Sequence, residues 1–190
     1  MGSVQPREVG PAGDSGPEIA HVVASHVIDV PDFPKPGVMF KDLTPLFADG
    51  DAFRSVVDTV IGHYGPDSFD QVVGIEARGF VLAAAVAYAT GVGVVPVRKA
   101  GKLPRETVQA SYQLEYGEAT VELHADAFQP GERVLVVDDV LATGGTAEAA
   151  LRLVEEVGAA VAGLSVVIEL SFLHGRDQLA GRPVHALLTV

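Results

Sequence analysis

Two adjacent carboxylates stand just before a glycine-rich turn in the segment VLVVDDVLATGGTAEAA, residues 134–150. The turn Gly144–Thr146 leads into a run of helix formers, and free backbone amides at a helix N-terminus bind phosphate. It lacks the Gly-Lys-Ser/Thr ending of a Walker A loop and the glycine spacing of the dinucleotide fingerprint. A plain connection explains either feature alone, but the combination of Asp138, Asp139 and the turn favours a ligand site.

A second candidate site is basic. Arg98, Lys99, Lys102 and Arg105 fall within eight positions of a chain whose formal net charge is -12, which favours a local anion site over a generally basic surface. The neighbouring Gly101 and Pro104 suggest a movable loop that closes over a polyanion. A solvated basic run is the plainer alternative.

A third candidate is Arg78 in the segment GIEARGF, residues 74–80, at the expected start of a helix. A cation is unfavourable beside the positive end of a helix dipole, so this position indicates an anionic ligand. An ordinary surface cation is the alternative.

Short β-branched segments alternate with helical ones and must position these residues. The expected strands are QVVGIE, VGVVPV, RVLVVDD, GLSVVIEL and VHALLTV, and helices are expected at Phe80–Ala89 and Thr146–Val157. Strands that are apolar on both faces and separated by helices indicate an α/β fold, with a mostly parallel central sheet flanked by helices. Ligands bind beyond the carboxyl ends of such strands, where Asp138 and Asp139 are expected to follow the strand Val134–Val137.

Other segments add to this core. Apolar residues spaced along Pro17–Val30 predict a helix, the prolines of PDFPKPGVMFKDLTPLF predict irregular structure, and Asp51 is expected to cap a further helix. The segment SYQLEYGEATVELH, centred on Gly117, predicts an antiparallel hairpin or flexible flap inserted into the α/β order. Residues 1–17 are predicted to be a flexible lead and residues 18–190 a single domain.

Charge and composition restrict the partners. A net charge of -12 disfavours nucleic acid and anionic membranes. The uncharged stretch Phe80–Val97 is interrupted by glycine and proline, so we expect a buried helix and strand and no membrane span. No cysteine is present, which excludes disulfides and thiolate metal sites and is compatible with a cytoplasmic location. The six histidines lack metal-ligand spacing.

The segment VLVVDDVLATGGTA resembles the 5-phosphoribosyl-1-pyrophosphate binding motif of the type I phosphoribosyltransferases. The segments FPKPGVMFKDLTP, GIEARGF, RKAGKLP and SYQLEYG match the adenine branch of that family in the same order, so the resemblance covers Phe33–Leu170. It implies the family's Rossmann-like fold with a small N-terminal hood and purine salvage activity. The implied reaction transfers the 5-phosphoribosyl group from 5-phosphoribosyl-1-pyrophosphate to adenine, giving AMP and pyrophosphate.

The resemblance also implies roles for residues of the donor site. Asp138 and Asp139 would accept hydrogen bonds from the ribose hydroxyls, and their charge would favour the cation that develops at C1. The implied 5'-phosphate cradle is Ala142, Thr143, Gly144, Gly145 and Thr146, and the implied pyrophosphate ligands are Arg78, Arg98, Lys99 and Lys102. Mg²⁺ would enter on the donor pyrophosphate without a dedicated set of protein ligands. A basic residue near Arg105 would reach a partner subunit, which implies a homodimer.

For the base, the resemblance makes Phe40 the stacking partner of adenine, with backbone groups beside Met39 and Lys41 reading its edge. Many relatives carry Arg at the position of Lys41, and lysine lacks the planar fork of arginine, so no bidentate contact is carried over. Glu115 becomes the acid/base near N7 of adenine. Glu169 and Leu170 become walls of the base pocket, although core packing explains Leu170 almost as well.

Two alternative functions remain open at this level. Transfer to hypoxanthine, guanine, xanthine or orotate would share the donor site, but the hypoxanthine-guanine branch usually has Glu-Asp where this chain has Asp138 and Asp139. A donor-sensing regulator that binds nucleic acid is disfavoured by the net charge and by the lack of a basic helix.

Overall fold

Residues 16–113, 118–179 and 181–190 are described by the computed structural model of the chain. The helices are α1 (Gly16–Ser25), α2 (Thr44–Ala48), α3 (Gly50–Tyr64), α4 (Gly79–Thr90) and α5 (Gly145–Glu156). The strands are β1 (Ile28–Pro31), β2 (Met39–Asp42), β3 (Gln71–Ile75), β4 (Gly93–Lys99), β5 (Thr107–Gln113), β6 (Glu118–His124), β7 (Arg133–Leu141), β8 (Ala160–Glu169) and β9 (Val184–Thr189). Two short 3-10 helices, Ser171–Leu173 and Gly175–Leu179, lie between β8 and β9.

Seven of the strands form one sheet in the order β5-β6-β4-β3-β7-β8-β9. The parallel part of the sheet consists of β4, β3, β7, β8 and β9, whereas β6 pairs antiparallel with both β4 and β5. The expected mostly parallel sheet is therefore confirmed. The inserted hairpin is confirmed over β5 and β6, while its centre at Gly117 falls outside the described residues.

Both faces of the sheet are covered, which explains why its strands are apolar on both sides. Along β7, Leu135 and Val137 belong to a core shared with α1, α3 and α4, whereas Val134 and Val136 belong to a second core shared with α5. Successive side chains of a strand point to opposite faces, so one strand contributes to both cores. Within the described residues no helix is long and apolar enough to cross a membrane.

The first expected helix ends earlier than its apolar spacing predicts. Helix α1 stops at Ser25, and Ile28–Pro31 forms β1, which pairs antiparallel with β2. The expectation of irregular structure after Pro31 was also wrong in part, because β2 and α2 lie in that segment. Asp32 accepts a hydrogen bond from the amide of Gly37 at 2.8 Å, which closes the turn between the strands. The hairpin β1–β2 occupies the position expected for the hood.

Asp49, and not Asp51, caps α3. Its side chain accepts hydrogen bonds from the amides of Asp51 and Ala52, each at 3.0 Å. The helix begins at Gly50, so Asp51 already lies in its first turn, where a carboxylate is favoured by the helix dipole but does not act as the cap.

Candidate active site

The two adjacent carboxylates lie inside strand β7. The sequence pattern had placed them after the strand, and that prediction was wrong. Pairing with β3 stops at Val137, but pairing with β8 continues through Leu141 opposite Glu169. Beyond Val137, β7 is therefore no longer paired with β3. Asp138 and Asp139 lie in this part of β7, at the carboxyl edge of the sheet, where parallel sheets bind ligands.

The two carboxylates have different surroundings. Burial raises the pKa of Asp138 well above its usual range, and the neighbouring charge of Asp139 raises it further. Asp138 accepts a hydrogen bond from the amide of Asp139 at 2.9 Å. Asp139 is buried, and its Oδ2 lies 2.7 Å from Arg78 Nε. That approach is close enough for an ion pair but lacks hydrogen-bond geometry, so Oδ2 has no hydrogen-bond partner among the described residues.

Arg78 connects β7 to the hairpin β1–β2. It immediately precedes α4, and its guanidinium carbon lies 4.7 Å from the centre of the Phe40 ring. Its Nη1 donates a hydrogen bond to the carbonyl of Lys41 at 3.3 Å. Arg78 thus contacts two residues of the expected base site, Phe40 and Lys41, and a carboxylate of the expected ribose site.

A close approach of α4 to the sheet sets the position of Arg78. A Cβ on Gly79 would lie 2.8 Å from the carbonyl oxygen of Val137 and 2.9 Å from Oδ1 of Asp138. Only glycine allows the N-terminus of α4 to come this near to β7, which accounts for glycine after Arg78 in GIEARGF.

The expected base-reading residues lie on β2. The ring of Phe40 makes an edge-on contact with Phe33 at 5.1 Å between centroids, and Met39 is about half exposed, at 48%. Lys41 Nζ donates to both carboxylate oxygens of Asp29, at 2.7 and 2.9 Å, directly across the β1–β2 pair. The side chain of Lys41 therefore pairs across the hairpin, while its carbonyl accepts the hydrogen bond from Arg78.

Glu76 binds basic residues at the end of β4 and in the loop after it. It accepts hydrogen bonds from Arg98 Nε at 3.3 Å, the Lys99 amide at 2.9 Å and Lys102 Nζ at 2.5 Å. Burial would raise the pKa of Glu76, but the hydrogen bonds from Lys102 and Lys99 and the charges of Lys102 and Arg98 outweigh it and lower the pKa to about 2. The basic cluster is therefore assembled around one internal carboxylate.

Glu122 fixes the backbone of the basic loop. It is buried in β6, and its carboxylate accepts hydrogen bonds from the amides of Lys102 and Leu103, each at 2.7 Å, and from Gln109 Nε2 at 3.2 Å. Burial would raise the pKa of Glu122, but these backbone hydrogen bonds lower it overall. Sequence reasoning missed this residue, because Glu122 lies between Val121 and Leu123 in an alternating strand, where a solvent-facing side chain is expected.

The glycine-rich turn forms the N-terminus of α5. Gly144 caps the helix with a left-handed φ of 88°, and, being glycine, it has no side chain to bond the first amides of α5. Amides at such a helix N-terminus are a favourable site for an anion. Beside them lies an open cavity of about 550 Å³, lined by Ser111, Tyr112, Gln113, Thr143, Gly145, Glu148 and Gln178.

Three further expected site residues have different surroundings. Leu170 is 7% exposed and donates its amide to the carbonyl of Leu141 at 2.9 Å, so it lies beside the start of the turn. Glu169 binds Arg176. Arg105 pairs with Asp126, away from the carboxylate of Glu76 that binds Arg98 and Lys102. Glu115 lies outside the described residues.

This chain is similar in sequence and in fold to known proteins. Residues 51–183 match the phosphoribosyl transferase domain family. Adenine phosphoribosyltransferase of Salinispora tropica is 72% identical over 181 residues, which cover 95% of this chain and 96% of the relative. The corresponding protein of Acidothermus cellulolyticus is 57% identical over 173 residues, covering 91% and 98%.

Solved structures agree with these relatives. The crystal structure of adenine phosphoribosyltransferase from Rhodothermus marinus superposes with a TM-score of 0.87 at 46% identity, covering 92% of this chain and 99% of that one. The Saccharomyces cerevisiae enzyme, complexed with D-2,5-dideoxy-2,5-imino-altritol 1,6-bisphosphate and adenine, superposes with a TM-score of 0.85 at 40% identity, covering 90% and 99%.

Proposed function

The chain belongs to the adenine phosphoribosyltransferases of the phosphoribosyl transferase domain family, and on that premise we propose how its residues carry out the transfer. The reaction of purine salvage displaces pyrophosphate from C1 of 5-phosphoribosyl-1-pyrophosphate by N9 of adenine, giving AMP. An oxocarbenium-like transition state requires a held 5'-phosphate, a held ribose, neutralised pyrophosphate and an aligned base.

The donor lies along the carboxyl edge of the sheet. Amides of Ala142–Thr146 hold the 5'-phosphate, while Asp138 and Asp139 accept hydrogen bonds from the ribose hydroxyls. The observation that carries this placement is the buried carboxylate of Asp139, which lies on β7 beyond its pairing with β3 and whose Oδ2 pairs with Arg78 but receives no hydrogen bond from the described residues. A ribose hydroxyl would supply that missing hydrogen bond once Arg78 turns to another anion.

Pyrophosphate binds the cations at the end of β4 and in the loop after it. The side chains of Arg98 and Lys102 both bind Glu76, so these two cations lie close enough together to contact one polyanion, and Lys99, whose amide binds the same carboxylate, adjoins Arg98 in the chain. Arg78 completes the set from the side of β7, and its exchange from Asp139 to pyrophosphate would free Oδ2 for the ribose.

Mg²⁺ fits this site as a companion of the donor. Mg²⁺ commonly binds phosphates, water and one or two carboxylates, so the donor pyrophosphate would carry it into the site. Asp138 and Asp139 are the carboxylates within the site. When bound, the ion would neutralise the charge of the leaving pyrophosphate.

Adenine stacks on Phe40, and backbone groups of Met39 and Lys41 read its edge. Support comes from the Lys41–Asp29 pair, which keeps the lysine side chain out of the base site, and from the buried Leu170 beside the donor loop. Glu115 is proposed as the acid/base near N7. An unchanged turnover and pH profile in Glu115→Gln would exclude that role.

A homodimer is proposed from the exposed apolar face of α4 and β4. Tyr88 is 90% exposed, and Val81 and Val94 are each nearly half exposed, at 46% and 48%. Val81 and Tyr88 are seven residues apart and therefore lie on one face of α4, and an exposed apolar face is typical of a protein interface. A cytoplasmic location and the absence of a nucleic-acid partner also remain predictions, which cell fractionation and electrophoretic binding assays would test.

A spectrophotometric competition assay tests the proposal as a whole. Purified protein is incubated with Mg²⁺, the phosphoribosyl donor and each nucleobase in turn. Adenine should be used fastest. Faster use of hypoxanthine or guanine would overturn the base assignment, and donor binding without turnover would favour a regulator.

A further inference from the structure

Glu169 and Arg176 form a two-point ion pair at the carboxyl end of β8. Arg176 Nε donates to Glu169 Oε1 at 2.9 Å, and Nη2 donates to Oε2 at 2.5 Å. Arg176 Nη1 also donates to the carbonyl of Val184 at 3.0 Å, at the start of β9. The Glu169 side chain is only 8% exposed. The 3-10 helix Gly175–Leu179 is therefore tied to two neighbouring strands of the sheet.

The residue before Arg176 contacts the donor loop through its backbone. A Cβ on Gly175 would lie 2.1 Å from the carbonyl oxygen of Ala142, and a Cβ on Gly144 would lie 2.3 Å from the carbonyl oxygen of Gly175. No side chain fits at either position, so the two backbones touch directly. Gln178 packs against the same part of the donor loop, because a Cβ on Gly144 would lie 3.0 Å from the Cβ of Gln178.

We propose that Glu169, Arg176 and Gly175 are positioning residues that hold the 5'-phosphate loop in its binding shape. The inference rests on the proposed role of Ala142–Thr146 as the phosphate cradle. A loop of Ala, Thr and Gly has much conformational freedom, and ordering it during binding would weaken the complex. Contact with a segment anchored to β8 and β9 orders the loop during folding instead. The amides then point at the 5'-phosphate before the donor arrives.

Gly175→Ala is the most direct perturbation. The new Cβ must push Ala142 aside, and a misplacement of about 1 Å can cost about 100-fold in rate. We expect kcat/KM for the donor to fall by about that factor, while the dissociation constant of adenine stays within about twofold. The matched control is Gly62→Ala, where a Cβ on α3 meets no atom within 4 Å. It should leave both values unchanged.

Arg176→Lys is the milder test if Gly175→Ala does not fold. Lysine keeps the charge but cannot make the two-point contact. We expect the affinity for AMP to fall about tenfold relative to that for adenosine, because these ligands differ only in the 5'-phosphate. A purely structural defect would weaken both ligands equally. Arg182→Lys is the control, since Arg182 binds Glu155 on α5 with the same kind of pair, at 2.8 Å.

Thr143→Glu separates this inference from the proposed function. Thr143 is exposed on the cavity, so the variant should fold and should repel a phosphate there. If Thr143→Glu leaves the AMP-to-adenosine affinity ratio unchanged, the loop is not the phosphate cradle and both proposals fail. If Thr143→Glu lowers the ratio while Gly175→Ala and Arg176→Lys keep it at the wild-type value, only the positioning role is overturned.

Discussion

Replacing Glu76 by glutamine should destabilise the protein at neutral pH and much less in acid. In the folded protein this carboxylate holds Arg98, Lys102 and the amide of Lys99, and its side chain is only 10% exposed. Glutamine keeps the shape but loses the charge. Arg98 and Lys102 would then lie close together without a carboxylate between them.

The pKa of Glu76 gives the size of the effect. The difference between its ordinary value of 4.5 and about 2 corresponds to about 3 kcal/mol, since one pKa unit is ~1.4 kcal/mol. Lys102 is 45% exposed, so water screens part of this interaction. We therefore expect Glu76→Gln to lower the free energy of unfolding by about 1–2 kcal/mol at pH 7.

The sign of the pH dependence follows from the lowered pKa. The stabilisation is fully present above the unfolded pKa near 4.5 and is lost as the pH falls towards about 2. Urea unfolding at pH 7 and at pH 3 measures it. The gap between wild type and Glu76→Gln should be largest at pH 7 and should shrink at pH 3. A gap that is absent, or equal at both pH values, would refute the reasoning.

A ligand measurement and a control complete the test. Because the variant leaves Arg98 and Lys102 uncompensated, pyrophosphate should raise its thermal midpoint by more than it raises that of the wild type. Glu155→Gln is the control, since that carboxylate is 45% exposed and its pair with Arg182 should contribute little. If pyrophosphate raised the thermal midpoints of Glu76→Gln and wild type by the same amount, the Glu76 carboxylate would not be part of the pyrophosphate site.

Three further outcomes are expected. Asp138→Asn and Asp139→Asn should each raise the donor KM or lower kcat by about tenfold or more, and wild-type kinetics in both would remove their ribose role. Tyr88→Glu should convert a dimer to a monomer in light scattering, whereas a dimer that persists would exclude the α4 face. Burial, and after it electrostatic repulsion from His63, whose ring centre lies 3.7 Å away, lowers the pKa of His185 to about 4. The free energy of unfolding is therefore highest above the ordinary histidine pKa of 6.5 and decreases by about 1–2 kcal/mol as the pH falls towards 4. This decrease, measured by urea unfolding, should be smaller in His185→Gln.

Sequence patterns located the core elements better than their ends. Apolar strands that alternate with helices predicted the sheet. A strand that is buried on both faces has an apolar sequence whatever its position in the sheet. The end of α1 was missed because Val27 and Ile28 continue its helical spacing although they lie beyond Ser25. The end of β7 was missed because aspartate is rare within strands, and only the partner strand β8 shows that pairing continues to Leu141.

The charge pairs of the site depend on the order of the strands, which the sequence pattern does not reveal. The registers Ile75 opposite Val97 and Gly74 opposite Val137 place β3 between β4 and β7. Continuing the first register by one residue brings Glu76 level with Arg98, which it binds. Arg78, two residues further along, turns to the other neighbour and pairs with the carboxylate of Asp139. One loop after a central strand therefore supplies an anion to the basic cluster on one side and a cation to the acidic pair on the other, and both pairs follow once the central position of β3 is known.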